Sequence, residues 1–203
     1  MQRFRLIWLV LFSLFFVLML NITLKYVSFQ TDVAFLQIKQ TEVQSAPLYI
    51  YVFYIHVITS IFTLLAGFTQ FNSTYLYQYP RIHAILGKIY VYVVLVFAAP
   101  SGIFIGCFAN GGLKSKIAFT LLGVLWWVFT WLGVLKIKRK EIVLHKQWML
   151  RSFALACSAI TLRFWKVILV YLFQPSPMDL YQIIAWLGWI PNLLLIEFYI
   201  KKK

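Results

Sequence analysis

The chain has 203 residues, of which 63% are hydrophobic and only 12% are charged. A soluble domain is about half apolar and roughly a quarter charged, so this composition excludes an ordinary soluble domain and indicates a membrane protein. The formal net charge of +14 would suit a nucleic-acid partner, but the basic residues form short tracts beside apolar runs, at MQRFR, KIKRK and KKK. That distribution is typical of the positive-inside rule. We therefore expect the lipid bilayer, and no nucleic acid, as a partner.

Apolar segments long enough to cross about 30 Å of hydrocarbon occur along the whole chain. The first lacks a small-x-small cleavage site and is interpreted as a retained signal anchor. We predict one integral membrane domain over 1–203, an all-α polytopic helical bundle of about six transmembrane helices. Most Lys and Arg fall in the segments assigned to the inner side, which predicts cytoplasmic N- and C-termini and a multi-pass protein of the cell membrane, in a bacterial inner membrane. The predicted segments are 6–24, 48–71, 81–108, 117–135, 147–173 and 179–200.

The stretch HKQWMLRSFALACSAITLR, from His145 to Arg163, has small residues where a lipid-facing helix normally carries bulky ones. In one continuous helix the 18 positions between its two ends make five full turns. We therefore expect His145 and Arg163 to lie on the same face. An arginine at membrane depth is by default a functional-site hypothesis.

Two further segments carry polar residues at helical spacing. His56 shares a face with Ser60, Thr63 and Gln70, and His83 shares a face with Tyr90. Because lipid cannot satisfy such groups, we expect these faces to converge on one interior. The alternative is that small and hydroxylated residues only mediate close helix packing. That alternative explains the ionisable residues less well, because buried charges need partners.

The depths of these residues predict two pairs. His56 and Arg163 fall in the outer half of the membrane, where they would meet or flank one ligand. His83 and His145 fall near the inner ends of their helices. Two imidazoles on facing helices suit the axial ligation of a b-type haem, so His83 and His145 are candidate metal ligands only in that sense, as ligands of haem iron. A separate metal-ion site would need more ligands than the sequence brings together.

Other polar residues have simpler expected roles. Glu197 is expected to pair with Arg151 or with a basic loop residue. Asn192 is expected to hydrogen-bond a carbonyl that the kink at Pro191 frees. The two cysteines have no metal-ligand spacing and are unlike a disulfide pair in position.

The segments HAILGKIYVYVV, ANGG, HKQWMLRSFALACSAITLR and WIPNLLLIEFYI together resemble a family of predicted bacterial membrane proteins, domain of unknown function 2306. The resemblance covers roughly Phe35 to Ile200. It implies a shared architecture and a set of site residues, and it implies no reaction. The matching positions are His56, Gln70, His83, Gly87, Lys88, Tyr90, His145, Trp148, Met149, Arg151, Ser152, Thr161, Leu162, Arg163, Pro191, Asn192 and Glu197.

Three functions fit these observations. The first is a redox protein that holds one b-type haem or a quinone, with His83 and His145 as ligands and with His56 and Arg163 on a propionate or quinone oxygen. The second is a binding or transport protein for a small anionic or carbonyl-bearing ligand at Arg163 and His56. The third is a structural or accessory membrane protein without a ligand. The sequence leaves open whether the protein is an enzyme, and its oligomeric state. The candidate ligand-binding residues are His56, Gln70, His83, Tyr90, His145, Arg151, Arg163, Asn192 and Glu197.

Overall fold

The structure, a computed structural model, describes residues 2–71 and 73–202. The chain is 84% helical, and the described ranges contain no strand. A 3₁₀ turn at Ala34–Ile38 and a π-helical segment at Val93–Ala98 interrupt the α-helices. The helices are α1 (Gln2–Leu24), α2 (Gln40–Ser45), α3 (Tyr49–Leu64), α4 (Ala66–Thr69), α5 (Ser73–Gln78), α6 (Pro80–Tyr92), α7 (Ala99–Cys107), α8 (Gly112–Lys138), α9 (Ile142–Ala156), α10 (Ser158–Phe173), α11 (Pro177–Leu187) and α12 (Ile190–Lys201).

The all-α membrane bundle predicted from composition is confirmed. Within the described residues, four helical segments are long and apolar enough to cross a membrane, and α9 and α10 together form a fifth if the bent pair is one span. The apolar part of α1, Leu9–Leu24, is shorter. The count of six spans and the cytoplasmic termini stay predictions. The four segments are Tyr49–Thr69, Pro80–Cys107, Gly112–Lys138 and Pro177–Lys201.

The longest helix, α8, organises the middle of the bundle. It packs along α7 on one side and along α9 on the other. The turns that join it to these helices, 108–111 and 139–141, are short, so α8 runs antiparallel to both neighbours. Consequently α6–α7 and α9 run parallel to each other. We call the end of the bundle at which α6 and α9 begin, next to the turn 139–141, the basic end.

The third apolar segment contains a π-helical turn immediately before Pro100, where the sequence predicts a kink. The amide of Ala99 donates to the carbonyl of Val94, five residues earlier. The next residue, Pro100, has no amide hydrogen to continue this pattern. The carbonyl of Leu95 instead accepts a hydrogen bond of 3.1 Å from the indole of Trp127 on α8.

The stretch from His145 to Arg163 is not one continuous helix, so the prediction of a continuous helix, on which the shared face depends, is wrong. It divides into α9 and α10 at Cys157, with a bend of 42°. In a continuous helix the carbonyl of Ala154 would accept a hydrogen bond from the amide of Ser158. Here this carbonyl accepts a hydrogen bond from the side chain of Asn192 on α12. A side chain that enters the backbone ladder in this way is a recognised cause of helix kinks.

Candidate functional site

A hydrogen bond between α6 and α9 fixes the register of these two parallel helices. The hydroxyls of Tyr90 on α6 and Ser152 on α9 are 2.7 Å apart, and both residues are buried. His83 lies seven residues before Tyr90 on α6, and His145 lies seven residues before Ser152 on α9. Seven residues are close to two helical turns, or about 10 Å of rise. The two histidines therefore lie at about the same level on α6 and α9 near the basic end, and they are within electrostatic range of each other.

The tautomer of His145 follows from its hydrogen bond. Its Nδ1 lies 2.8 Å from the backbone carbonyl of Gly133 on α8. A carbonyl oxygen can only accept, so Nδ1 carries the hydrogen. In the neutral ring, Nε2 then carries the lone pair. This is the arrangement of a histidine that ligates a metal through one nitrogen while a second-shell carbonyl orients the other.

His83 is held through its backbone, and its ring is left without a protein partner at one nitrogen. The side-chain amide of Gln70 donates to the carbonyl of His83 at 3.2 Å. The Nδ1 atom of His83 is buried and has no hydrogen-bond partner among the described residues. Most buried polar atoms are paired, so this nitrogen, which has no partner among the described residues, is the site's most unusual feature. The carbonyl oxygen of Gln70 lies against Gly87, where an added Cβ would meet it at 3.0 Å.

His56 is engaged with the π-helical region instead of with Arg163. Its Nδ1 donates to the carbonyl of Ala98 at 2.9 Å, and the hydroxyl of Ser101 lies 3.3 Å from the same nitrogen. On the other side of the ring, the hydroxyl of Ser60 is 3.4 Å from Nε2. Both ring nitrogens of His56 therefore have neighbours within the protein.

Arg163 makes its hydrogen bond within its own helix. Its Nη1 donates to the carbonyl of Ala159 at 2.7 Å. The side chain is half-buried, and its charge is within electrostatic range of Tyr26. Within the ranges that the structure describes, no ion pair includes Arg163 and no hydrogen bond joins it to His56. The hydrogen bonds thus do not bring the predicted outer-half pair together.

Arg151 and Glu197 form an ion pair, and Arg151 is one of the two kinds of partner that the sequence predicts for Glu197. The guanidinium donates through Nε and Nη2 to the two carboxylate oxygens, at 2.5 and 2.9 Å. It also lies over the ring of Trp148, 4.6 Å from the ring centroid. Both charges are therefore satisfied within the protein, and the pair joins α12 to α9.

Asn192 is also satisfied, although its partners differ from the one expected. Its amide donates at 3.0 Å to the carbonyl of Ala154 and at 3.0 Å to the hydroxyl of Thr161. The carbonyl of Gly188, next to the break between α11 and α12, is further away at 3.4 Å. The hydroxyl of Thr161 donates to that same carbonyl. Asn192 therefore connects two helix breaks, where the sequence suggests only one.

Sequence reasoning missed two buried polar groups. Thr130 and Trp126 on α8 hydrogen-bond Ser152 and Tyr90, at 2.6 and 3.3 Å. Their signal is the spacing of small and polar residues along α8, but no histidine or arginine draws attention to that helix. The buried α8 residues are Ser115, Ala118, Gly123, Trp126, Thr130 and Gly133.

The second missed group surrounds Lys39, which lies between the 3₁₀ turn and α2 and is only 1% exposed. Its ammonium group donates to Glu42 at 2.7 Å and also to the carbonyl of Phe108 and the side chain of Asn110. Burial raises the pKa of Glu42, but the hydrogen bond and the charge of Lys39 outweigh it and hold that pKa below its ordinary value. Three acceptors satisfy the lysine, so this cluster fastens the segment before α3 to the turn between α7 and α8.

Two surface depressions of the described residues lie away from the two histidines. One lies on the apolar surface of α7 and α8 and includes Cys107 and Thr120, and the other lies among Phe29, Asp32 and Gln40. Neither is lined by His56, His83, His145 or Arg163. Both cysteines are free thiols.

No group of three or more His, Cys, Asp or Glu that would hold a metal ion occurs in the described part of the chain. The basic end carries exposed cations near the histidine pair, including Arg81, Lys88, Lys140 and Lys146. Glu141, which lies in the same region, already pairs with Lys136 at 2.8 Å. The local charge around His83 and His145 is therefore positive and favours an anionic ligand over a free cation.

The sequence model of the family described as Predicted membrane protein (DUF2306) matches residues 53–200, which is most of the chain. This match includes every residue of the candidate site and confirms the resemblance seen in the motifs. No curated protein and no solved structure matches the chain.

Proposed function

This chain belongs to the DUF2306 family of predicted membrane proteins, and we propose that it binds one b-type haem between α6 and α9, with His83 and His145 as the axial ligands of the iron. The single observation that supports this proposal is that His83 and His145 stand at the same level on α6 and α9, within electrostatic range of each other. Nδ1 of His83 is buried and has no hydrogen-bond partner in the part of the chain that the structure describes, and the hydrogen bond from His145 to Gly133 leaves Nε2 of the His145 ring available.

The other candidate residues support this choice by exclusion. Tyr90, Arg151 and Asn192 have their polar groups paired within the protein. His56 has neighbours at both ring nitrogens. For these residues the packing role is the better interpretation, because hydrogen bonds within the protein already engage their polar groups.

Ligand number and charge support haem over a bound metal ion. A structural metal ion would need about four protein ligands, whereas haem iron needs only two axial ligands because the macrocycle supplies the rest. The two propionates of haem are anionic, and the cations Arg81, Lys88 and Lys146 lie near the proposed site. A cofactor between helices of a bundle, ligated from facing side chains, is a common arrangement.

Bound haem of this kind supplies one-electron chemistry. The residues of this chain would supply its ligation and orientation. The carbonyl of Gly133 would hold the ring of His145 in one orientation, and Gln70 would hold the backbone of His83. We further expect the basic end to face the cytoplasm of a bacterial inner membrane, because it carries the turn KIKRK and the final lysines.

Haem titration of the purified protein tests the proposal. Haem is added to the protein in detergent micelles, and the Soret and α bands are followed. We expect saturation at one haem per chain and the sharp α and β bands of low-spin iron with two imidazole ligands. His83→Ala and His145→Ala should each abolish these bands. His56→Gln changes the remaining histidine of the chain and should retain these bands.

Two results of this titration would overturn the proposal. If His83→Ala and His145→Ala leave the spectrum of bound haem unchanged, the iron is not held by this pair. If the folded wild-type protein stays colourless after haem is supplied, haem binding is excluded. Folding of each variant is checked by circular dichroism and size-exclusion chromatography, so that a lost spectrum is not confused with a lost fold.

A further inference from the structure

The hydrogen bonds around Tyr90 form a closed circuit whose direction can be assigned. The hydroxyl of Thr130 donates to the carbonyl of Trp126 at 2.8 Å, so it accepts from Ser152. Ser152 has only one hydroxyl hydrogen, so it accepts from Tyr90. Tyr90 in turn accepts from the indole of Trp126 at 3.3 Å. The circuit begins and ends on Trp126, and every hydroxyl hydrogen in it is used.

The residues of this closed circuit are not available to donate a hydrogen bond to a ligand. No hydroxyl retains a hydrogen to donate elsewhere, and Tyr90, Trp126, Thr130 and Ser152 are all buried. A fully satisfied buried network rigidifies the elements that it joins. The circuit joins α6, α8 and α9, which are the helices that carry His83, Gly133 and His145.

Tyr90 also bridges α6 and α9 through its hydroxyl. It is the longest side chain of the circuit, and it meets a serine, one of the shortest, on the facing helix. A tyrosine that reaches a serine through its hydroxyl keeps the two backbones further apart than the contacts between small residues that bring membrane helices close together.

We propose that Tyr90 is a positioning residue whose ring sets the separation of α6 and α9 and whose hydroxyl locks their register, so that His83 and His145 stay opposed. The geometric part of this inference stands on the hydrogen bonds alone. Its consequence, that Tyr90 tunes a cofactor held by the two histidines, rests on the proposed function.

Cysteine cross-linking tests the geometric part without haem. The parent variant carries His83→Cys and His145→Cys, with Cys107→Ser and Cys157→Ser to remove the native thiols. Cross-linking with a short bismaleimide is then compared in the parent and in the parent with Tyr90→Phe or Ser152→Ala. We expect the rate to fall about fivefold in both, because each change opens the circuit by removing two of its hydrogen bonds. Tyr92→Phe, at an exposed tyrosine two residues further along α6, is the matched control and should leave the rate unchanged.

A second arm uses the intact histidines and added haem. Tyr90→Phe should change the electron paramagnetic resonance spectrum of the oxidised protein, because the relative angle of the two imidazoles changes, while Tyr92→Phe should not. If Tyr90→Phe only reduced the stability of the protein, it would lower the thermal unfolding midpoint and leave the spectrum of the remaining bound haem unchanged.

The outcomes separate the two proposals. A parent that does not cross-link overturns the opposition of the histidines, and with it both proposals. Cross-linking that proceeds equally in the Tyr90→Phe, Ser152→Ala and parent proteins overturns the positioning role and leaves haem binding standing. Cross-linking that depends on Tyr90 in a protein that binds no haem supports the positioning role and contradicts only the proposed function.

Discussion

Arg151 on α9 and Glu197 on α12 are joined by two parallel hydrogen bonds, from Nε to one carboxylate oxygen and from Nη2 to the other. This fork geometry is specific to arginine, because lysine has no planar pair of donors. The side chain of Arg151 is 15% exposed and that of Glu197 is 40% exposed, so water screens the pair in part. Arg151 also lies less than two turns after His145 on the same helix, so the ion pair anchors the helix that carries this candidate ligand.

Glu197→Gln should therefore destabilise the protein moderately. We expect a loss of about 1 kcal/mol, because the partly exposed carboxylate is replaced by a neutral amide beside an arginine that keeps its charge. Arg151→Lys should cost a similar amount, since it cannot make both bonds. Thermal unfolding in detergent measures both, and Lys138→Met, at an exposed lysine of α8, is the control that should unfold like the wild type. Unchanged midpoints for both ion-pair variants would contradict the assignment.

Lys39→Met should destabilise the protein more strongly, by roughly 3 kcal/mol, because it removes the partner of a carboxylate and of two further acceptors in a buried setting. Methionine keeps most of the apolar length of the lysine, so the effect reports the lost charge and hydrogen bonds. The same change at Lys25, which is exposed, should have little effect on thermal unfolding. Equal effects at both positions would show that the Lys39 cluster does not fasten the segment before α3.

The pH dependence of this cluster has a definite sign. The pKa of Glu42 lies below its ordinary value in the folded protein, so the unfolded chain binds a proton to this carboxylate at higher pH than the folded chain does. Its contribution to stability is therefore complete above the unfolded pKa and is lost as the pH falls through the folded pKa. Unfolding midpoints measured from neutral to acidic pH should fall more steeply for the wild type than for Glu42→Gln. Parallel curves would exclude a contribution from Glu42.

Asn192→Leu should loosen the two helix breaks that the asparagine connects. The change leaves the carbonyl of Ala154 without its side-chain donor, and we expect a loss of about 2 kcal/mol. Hydrogen exchange should increase at the peptides around Cys157 and Gly188 and remain unchanged in α8. Leu195→Ala, on the exposed face of α12, is the control. Protection that stays intact in Asn192→Leu would show that the breaks are held by packing alone.

The membrane bundle was predictable from sequence because apolar length and basic tracts depend on local composition. The break at Cys157 was not predictable, because it lies between residues that favour a continuous helix. Its cause, the amide of Asn192, comes from a helix 35 residues further along the chain. Long-range side-chain insertion of this kind has no signature in a local pattern.

The candidate site was predictable in part. Helical spacing indicated which residues share a face with His83, but it did not show which helix that face meets. The depths of the residues in the membrane predicted a contact between His56 and Arg163 as strongly as one between His83 and His145. The Tyr90–Ser152 hydrogen bond supplies the register that puts His83 and His145 at the same level. The burial of Lys39 also depends on a distant turn at Asn110 and could not be read from its polar surroundings.

The most direct measurement of the central claim is the reduced-minus-oxidised optical spectrum of the wild-type protein purified from haem-replete cells. If His83 and His145 hold a haem, the spectrum shows a sharp α band of low-spin haem b, and a pyridine haemochrome assay gives one haem per chain. That band is lost in His83→Ala and in His145→Ala. A folded wild-type protein with no such band, or a band that persists in both variants, would contradict the central claim.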